Sequence, residues 1–463
     1  MSAEPKTVSL RDALAAATET QALEIGPGAI KQVPRVFREQ FGESAAVIIA
    51  DKNTFGAAGQ AVLSQLKADG INYREPFILS DQNLYAEHKF VEQLEARLKT
   101  DDAIPIAVGS GTLNDLTKLA AHRCDRSYLC VATAASMDGY TAFGASITHN
   151  GSKQTFTCPA PKCVVADLDV ICAAPPEMNA WGYADLVAKV TAGADWLVAD
   201  ALGAEPIHEQ AWAIVQGRLR ELVADPAGIK RNDPKALSHL VEGLMLGGFA
   251  MQAAKSSRAA SGAEHQFSHL WDMQHHTHYG KAPSHGFKVG IGTLAVTALY
   301  EYLLRQPLES FDVERACATW PDEASREARI RELFEDPELA TVALQETRAK
   351  SVSATDLQKQ LEHVRSLWPG LRERLRAQLL PFAQLKLMLA ASGAPVEPEQ
   401  IGISRERLRR SFEQAWFIRR RFTVLDLTVR LGLLQDALEH IFGPSGRWPV
   451  HAAKPDPKSA SSV

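Results

Sequence analysis

The chain has 463 residues, 46% of them apolar and 23% charged, with a net charge of −5; that is the balance of a folded soluble protein of about two domains. No basic stripe is present, which excludes a nucleic-acid partner and leaves phosphate contacts to a local pocket for a small ligand. The opening MSAEPKTVSLRDALAAATET lacks the apolar core of a signal peptide, no run of about 20 apolar residues offers a membrane span, and the six cysteines form no CxxC pair, so the thiols read as reduced and the protein as cytoplasmic.

In chain order, the β-branched run AAVIIAD (45–51) predicts a strand, and FGAAGQAVLSQLKADG predicts a helix closed by Gly70. FILS is the next strand, NLYAEHKFVEQLEARLKT a helix, AIPIAVGSG a strand, LNDLTKLAAHR a helix and SYLCVATA a strand. TFTCPAPKCVVADLDV adds one or two more. Strand–helix alternation at this spacing predicts a parallel sheet covered on both faces. After Pro175 and Pro176 the periodicity is helical as far as Phe442. The expected architecture is a Rossmann-like α/β domain over 1–175, an all-helical domain over 176–442, and a disordered Pro-, Ser- and Ala-rich tail over 443–463.

Three signals carry chemistry. In VGSGTLNDLTK, Gly109-Ser110-Gly111 leaves a strand and a helix follows from about Asn114. Glycines let a backbone approach a phosphate, and a helix N-terminus offers free N–H groups, although a tight turn has the same composition. In TAASMDGYTAFGASIT (133–148), small residues and hydroxyls surround one carboxylate, Asp138, which suits a flat ligand or a plain strand-to-loop connection. The third signal is a scattered set of metal-type ligands: Asp185, the i,i+4 pair His265 and His269, and His285. A carboxylate with imidazoles suits a borderline divalent cation and leaves positions open, while a helical histidine pair also occurs as a plain surface pair.

Taken together, these motifs resemble the sn-glycerol-1-phosphate dehydrogenase family, a branch of the iron-type alcohol dehydrogenase and 3-dehydroquinate synthase-like superfamily. The resemblance runs from about Ile48 to Leu434, with TAASMDGYT its most specific block and SGAPVEPEQIGIS and IRRRFTVLDL similar to the bacterial branch. It implies a dehydroquinate synthase-like fold and NAD-linked reduction of dihydroxyacetone phosphate, with NADP as a second cofactor. It also implies one divalent ion (zinc, nickel or iron), a small phosphorylated substrate and a homo-oligomer. It assigns Gly109, Ser110, Gly111, Thr112 and Leu113 to the dinucleotide phosphates and Thr133, Ala134, Ala135 and Ser136 to the nicotinamide side. Asp138 and His269 face substrate, and Asp185, His265 and His285 hold the metal. Asp51, at the end of its strand, is placed to accept from the adenosine ribose hydroxyls. Ala142 and Phe287 depart from the family, which often has serine and glutamate there. Lys189, Arg258 and Lys288 are candidates for the substrate phosphate, and His275, His276 and His278 read as loop residues. Glycerol or polyol dehydrogenation and a 3-dehydroquinate synthase-like lyase are the alternatives.

Overall fold

A computed structural model describes residues 7–81, 84–149 and 152–450. Among these residues eight strands form: β1 (Ala22–Gly26), β2 (Ala46–Asp51), β3 (Tyr73–Leu79), β4 (Ile104–Gly109), β5 (Leu129–Ala132), β6 (Ala145–His149), β7 (Ser152–Phe156) and β8 (Cys163–Asp167). Six of them make one parallel sheet in the order β1-β8-β5-β4-β2-β3, and β6 and β7 pair as a separate antiparallel hairpin. In β2, Ile48 and Ala50 enter one core cluster while Val47 and Ile49 enter another. Alternate side chains of a strand point to opposite faces, so burial of both sets means that the sheet is covered on both sides. The continuous apolar run AVIIAD is the sequence form of that arrangement.

Sequence periodicity finds β2 to β5 and β8 but misses β1, whose residues are only half-buried at the sheet edge, and β6, which lies inside the small-residue block. The helix after β4, α1 (Gly111–Arg123), starts three residues earlier than the predicted Asn114 because Ser110 takes the cap position.

From Leu168 onward the ordered elements are helices. Four of them build the site: α2 (Pro176–Val187), α3 (Lys189–Ala201), α4 (Ala263–Met273) and α5 (His285–Leu303). Glycines set how closely α2 approaches the loop after β5 and how closely α5 approaches α2. A Cβ on Gly182 of α2 would lie 1.9 Å from the carbonyl oxygen of Ala135, and one on Gly286 of α5 would lie 2.0 Å from that of Trp181. No helix among the described residues is long and apolar enough to cross a membrane.

The expected disorder from Gly443 is corrected for 443–450. Trp448 is fully buried, stacks on Phe442 with centroids 6.2 Å apart, and donates from Nε1 to Glu397 Oε2 at 3.0 Å. One large indole is enough to dock a segment whose average composition is polar. The remainder of the expected tail, 451–463, lies outside the described residues.

Candidate active site

β2 leads outward to β3, whereas β4 leads the other way to β5. The crevice at the carboxyl ends of β2 and β4 is therefore a topological switch point, where open α/β sheets bind ligands. Gly109 ends β4 opposite Ala132, and Ser110 caps α1 without a side-chain hydrogen bond to the helix. That leaves the first-turn N–H groups available to an anion. A Cβ on Gly109 would sit 2.4 Å from Leu113 Cδ1, and one on Gly111 would sit 3.0 Å from Met137 Cε. The turn is thus folded tightly onto its own helix and onto the loop after β5.

A cleft of about 1370 Å³ is lined by Ser110, Gly111 and Thr112 of this turn and by His265, His269 and His285. Ser136 and Asp138 also line it. The side chains of Leu113, Ala134 and Ala135 are buried in the surrounding core, and Thr133 is nearly so. Asp51 ends β2 at the edge of the switch point, outside the cleft lining. Its Oδ1 accepts from Thr54 N at 2.8 Å, capping the turn Lys52–Thr54.

Asp185, His265 and His285 offer ligand atoms that all lie within 4.8 Å of one another. His265 Nε2 is 3.5 Å from Asp185 Oδ1. The other ring nitrogens are occupied: His265 Nδ1 pairs with Glu264 Oε1 at 2.9 Å, and His285 Nδ1 with Ser268 Oγ at 3.2 Å. Such outer partners fix the ring orientation and turn the remaining nitrogen toward a shared centre. The ring of His269 lies 6.3 Å from that of His265 and 6.1 Å from that of His285, centroid to centroid, and His269 is not in the ligand group.

Two carboxylates share a buried lysine beside this group. Lys189 Nζ is 2.9 Å from Asp185 Oδ1 and 2.7 Å from Asp138 Oδ2, and the amide of Asp138 donates to Asp185 Oδ2 at 3.1 Å. Burial and the charge of Asp185 push the Asp138 carboxyl up. Burial alone would do the same to Asp185, but Lys189 and the hydrogen bond from His265 hold it well below the usual carboxylate range. One carboxylate kept ionised and a neighbour biased toward its protonated form is the division of roles expected of a reactive site.

Lys189 is accordingly no phosphate ligand: it is fully buried between carboxylates. Arg258 is withdrawn too, because its guanidinium donates to the carbonyls of Phe422 at 2.8 Å and Asp195 at 2.6 Å. Lys288 does line the cleft and pairs with Asp272. His276 binds the Ile401 carbonyl at 2.7 Å and Arg407 at 2.7 Å, and none of His275, His276 and His278 belongs to the ligand group.

Residues 24–175 match the family model described as iron-containing alcohol dehydrogenase. A probable glycerol dehydrogenase from Sinorhizobium meliloti superposes with a TM-score of 0.59 at 16% identity, covering 91% of this chain and 96% of that one, a likeness of fold. The glycerol-1-phosphate dehydrogenase (NAD(P)+) of Geobacillus thermodenitrificans is 31% identical, with 82% of this chain and 85% of that one covered. That of Halalkalibacterium halodurans is 35% identical over 64% of this chain and 74% of its own length.

The chain belongs to the glycerol-1-phosphate dehydrogenase family.

Three supports of this family's site were not read from sequence. Glu264 and Ser268 orient the two histidines; their signal was adjacency, since both lie in AEHQFSH on the helix of His265. The third is Lys118, buried in α1, whose Nζ donates to the carbonyls of Gly139 (3.1 Å), Ala142 (2.8 Å) and Gly144 (3.0 Å). It holds the loop that carries Asp138, and in sequence it looks like any helix lysine. The ring of Phe287 meets that of the cleft-lining Trp181 edge-on at 6.2 Å.

Proposed function

We propose that the protein reversibly reduces dihydroxyacetone phosphate to sn-glycerol-1-phosphate with NADH, and with NADPH as second choice, at a divalent metal centre. The observation that carries this reading is that the glycine turn after β4 and the Asp185–His265–His285 group border one cleft. Family membership supplies the reaction class.

The donor set fits a divalent ion. Asp185 is fully buried and held ionised, and the outer nitrogens of His265 and His285 are already engaged, which leaves one carboxylate and two imidazole nitrogens turned to a common centre. These are the donors a borderline divalent cation takes, with positions left open for water or substrate. A metal bound by Asp185, His265 and His285 supplies Lewis-acid polarisation of the carbonyl oxygen, and the reduced dinucleotide supplies the hydride.

The remaining work falls to this chain's residues. Ser110, Gly111 and Thr112, with the N-terminus of α1, hold the dinucleotide phosphates. Gly109 and Leu113 shape that turn, and Asp51 accepts from the adenosine ribose. Thr133, Ala134, Ala135 and Ser136 wall the nicotinamide side. Asp138 hydrogen-bonds the substrate from the position set by Lys189. His269 faces the substrate and passes a proton to the nascent alkoxide, directly or through water.

The test follows NADH absorbance with dihydroxyacetone phosphate, with dihydroxyacetone and with no substrate. Oxidation that depends on the phosphorylated ketone is the expected result. Equal rates with dihydroxyacetone assign the enzyme to polyols, and no oxidation with either sinks the reading.

A further inference from the structure

We propose that Arg419 and Arg421, on the segment between the helices Arg405–Phe417 and Val424–Arg430, bind the phosphate of the substrate; this rests on the glycerol-1-phosphate reading above. The cleft that holds the metal-type ligands also touches three consecutive arginines, 419 to 421. They are not equivalent. Arg420 is neutralised by Glu346, donating from Nε at 3.1 Å and from Nη2 at 2.6 Å. Arg419 is exposed, Arg421 is half-buried, and neither has an ion-pair partner among the described residues.

The guanidinium of Arg421 is aimed but not neutralised. Its Nη1 donates to the carbonyl of Ser261 at 2.9 Å and to Ser261 Oγ at 2.6 Å, and Nη2 donates to Ser257 Oγ at 2.9 Å. Burial, with Arg258 close by, lowers its pKa to about 10 against the weaker pull of Glu205 and Glu264, neither of which reaches it as an ion pair, so it stays a cation at neutral pH. A desolvated cation held only by neutral acceptors is costly until an anion joins it. A guanidinium is also the side chain best shaped for phosphate oxygens.

Position selects the substrate's phosphate over those of the dinucleotide. Ser261 lies four residues before His265, and Gln266 Nε2 donates to the carbonyl of Arg421 at 3.4 Å, so the arginines are tied to the helix that carries the metal ligand. The glycine turn lies in the other half of the chain, at the start of α1. Gln266 adds a second mark: its Oε1 is buried without a hydrogen-bond partner, beside the cleft. A substrate hydroxyl satisfies that acceptor while the arginines take the phosphate. A three-carbon ketone with one hydroxyl end and one phosphate end has both groups.

The experiment uses the metal-loaded enzyme and the variants Arg419→Ala, Arg421→Lys and Lys281→Ala. Lys281 is the comparator, a lysine exposed at the cleft mouth. Loss of a charge-assisted contact should raise KM for dihydroxyacetone phosphate by about 10–100-fold in each arginine variant, with kcat changed far less. The preference over dihydroxyacetone should fall in step, and NADH affinity should hold. Calorimetry with inorganic phosphate on the NADH-saturated enzyme supplies a second readout, in which both arginine variants should bind more weakly. Arg419→Ala changes an exposed side chain, so it stays informative if Arg421→Lys unfolds. KM and phosphate affinity within about twofold of wild type in Arg419→Ala overturn the proposal, as does the main KM effect appearing in Lys281→Ala. If wild type fails to turn over dihydroxyacetone phosphate, it is the functional reading that falls. The pocket then stands or falls on whether Arg419→Ala loses inorganic phosphate.

Discussion

His265 and His269 occupy the same face of one helix, yet only His265 contributes to the three-residue ligand group. Metal content and turnover should therefore separate. His265→Ala, Asp185→Ala and His285→Ala should purify with little metal and little activity. His269→Ala should retain nearly stoichiometric metal while losing about 10²–10⁴-fold in rate if it transfers a proton. Metal analysis of the four proteins decides this, and a metal-free His269→Ala beside a metal-bearing His265→Ala reverses the roles. At Asp51 the informative change is to asparagine, which keeps the cap on Thr54 but removes the charge. The ratio of kcat/KM for NAD over NADP should drop by about tenfold or more, because the carboxylate no longer repels a 2′-phosphate. An unchanged ratio removes Asp51 from the cofactor site. Side-chain chemistry marked Asp185, His265, His269 and His285 in the sequence, while setting His269 apart from the other three rested on the family resemblance. The state of a cation was not legible: Lys189 reads as a free charge one helical turn from Asp185, and only burial shows that two carboxylates have claimed it.

At the scale of elements, the loop bearing Asp138 depends on α1 beneath it. Replacing Lys118 by methionine keeps the length of the side chain but strips three carbonyls of a charged donor. A loss of about 2–4 kcal/mol in unfolding free energy is expected, with kcat falling before the fold is lost, as read by denaturant titration alongside assay. Stability within about 0.5 kcal/mol of wild type would show that the loop finds other support. The crossing of α2 and α5 is less forgiving still. Gly286→Ala puts a methyl into the carbonyl of Trp181 and must push His285 away from Asp185, so metal affinity should weaken together with stability. Strands β2, β4, β5 and β8 were legible because a doubly covered strand is a compact apolar run. Strand β6 was not, because it starts inside the block of small residues and belongs to a separate two-stranded sheet. Register and helix crossing depend on partners far away in the chain, which periodicity does not encode.

For the molecule as a whole, ion binding and folding are linked. Asp185 belongs to α2, His265 to α4 and His285 to α5, so one ion would tie three helices together. Chelation should lower Tm, and an ion at 100 times its Kd should restore about 2.7 kcal/mol; a Tm indifferent to chelator contradicts a buried divalent site. The C-terminal strap contributes separately. Truncation after Gly443 removes Trp448 from its seat against Phe382 and Phe442 and should cost about 3–5 kcal/mol, as should Trp448→Ala. Calorimetric unfolding of the two proteins checks it, and a truncated chain as stable as the full one would show that the indole seat is idle. The sheet-then-helices order was plain from the alternation of patterns and the switch at Pro175-Pro176. The docking of 443–450 was not, because one aromatic side chain outweighs the composition around it.

The close approaches at Gly182, where α2 meets the loop after β5, and at Gly286, where α5 meets α2, bear on how such a sequence drifts over evolutionary time. Aliphatic core positions exchange leucine, isoleucine and valine through small compensating shifts. A position where a single carbon would fall about 2 Å from a backbone oxygen has no neighbouring solution of that kind. Among relatives that keep only about a third of their residues in common, substitutions should accumulate freely in the aliphatic core and stop at these two glycines. A lineage that breaks that rule should also have lost the aspartate and histidine ligands beside them.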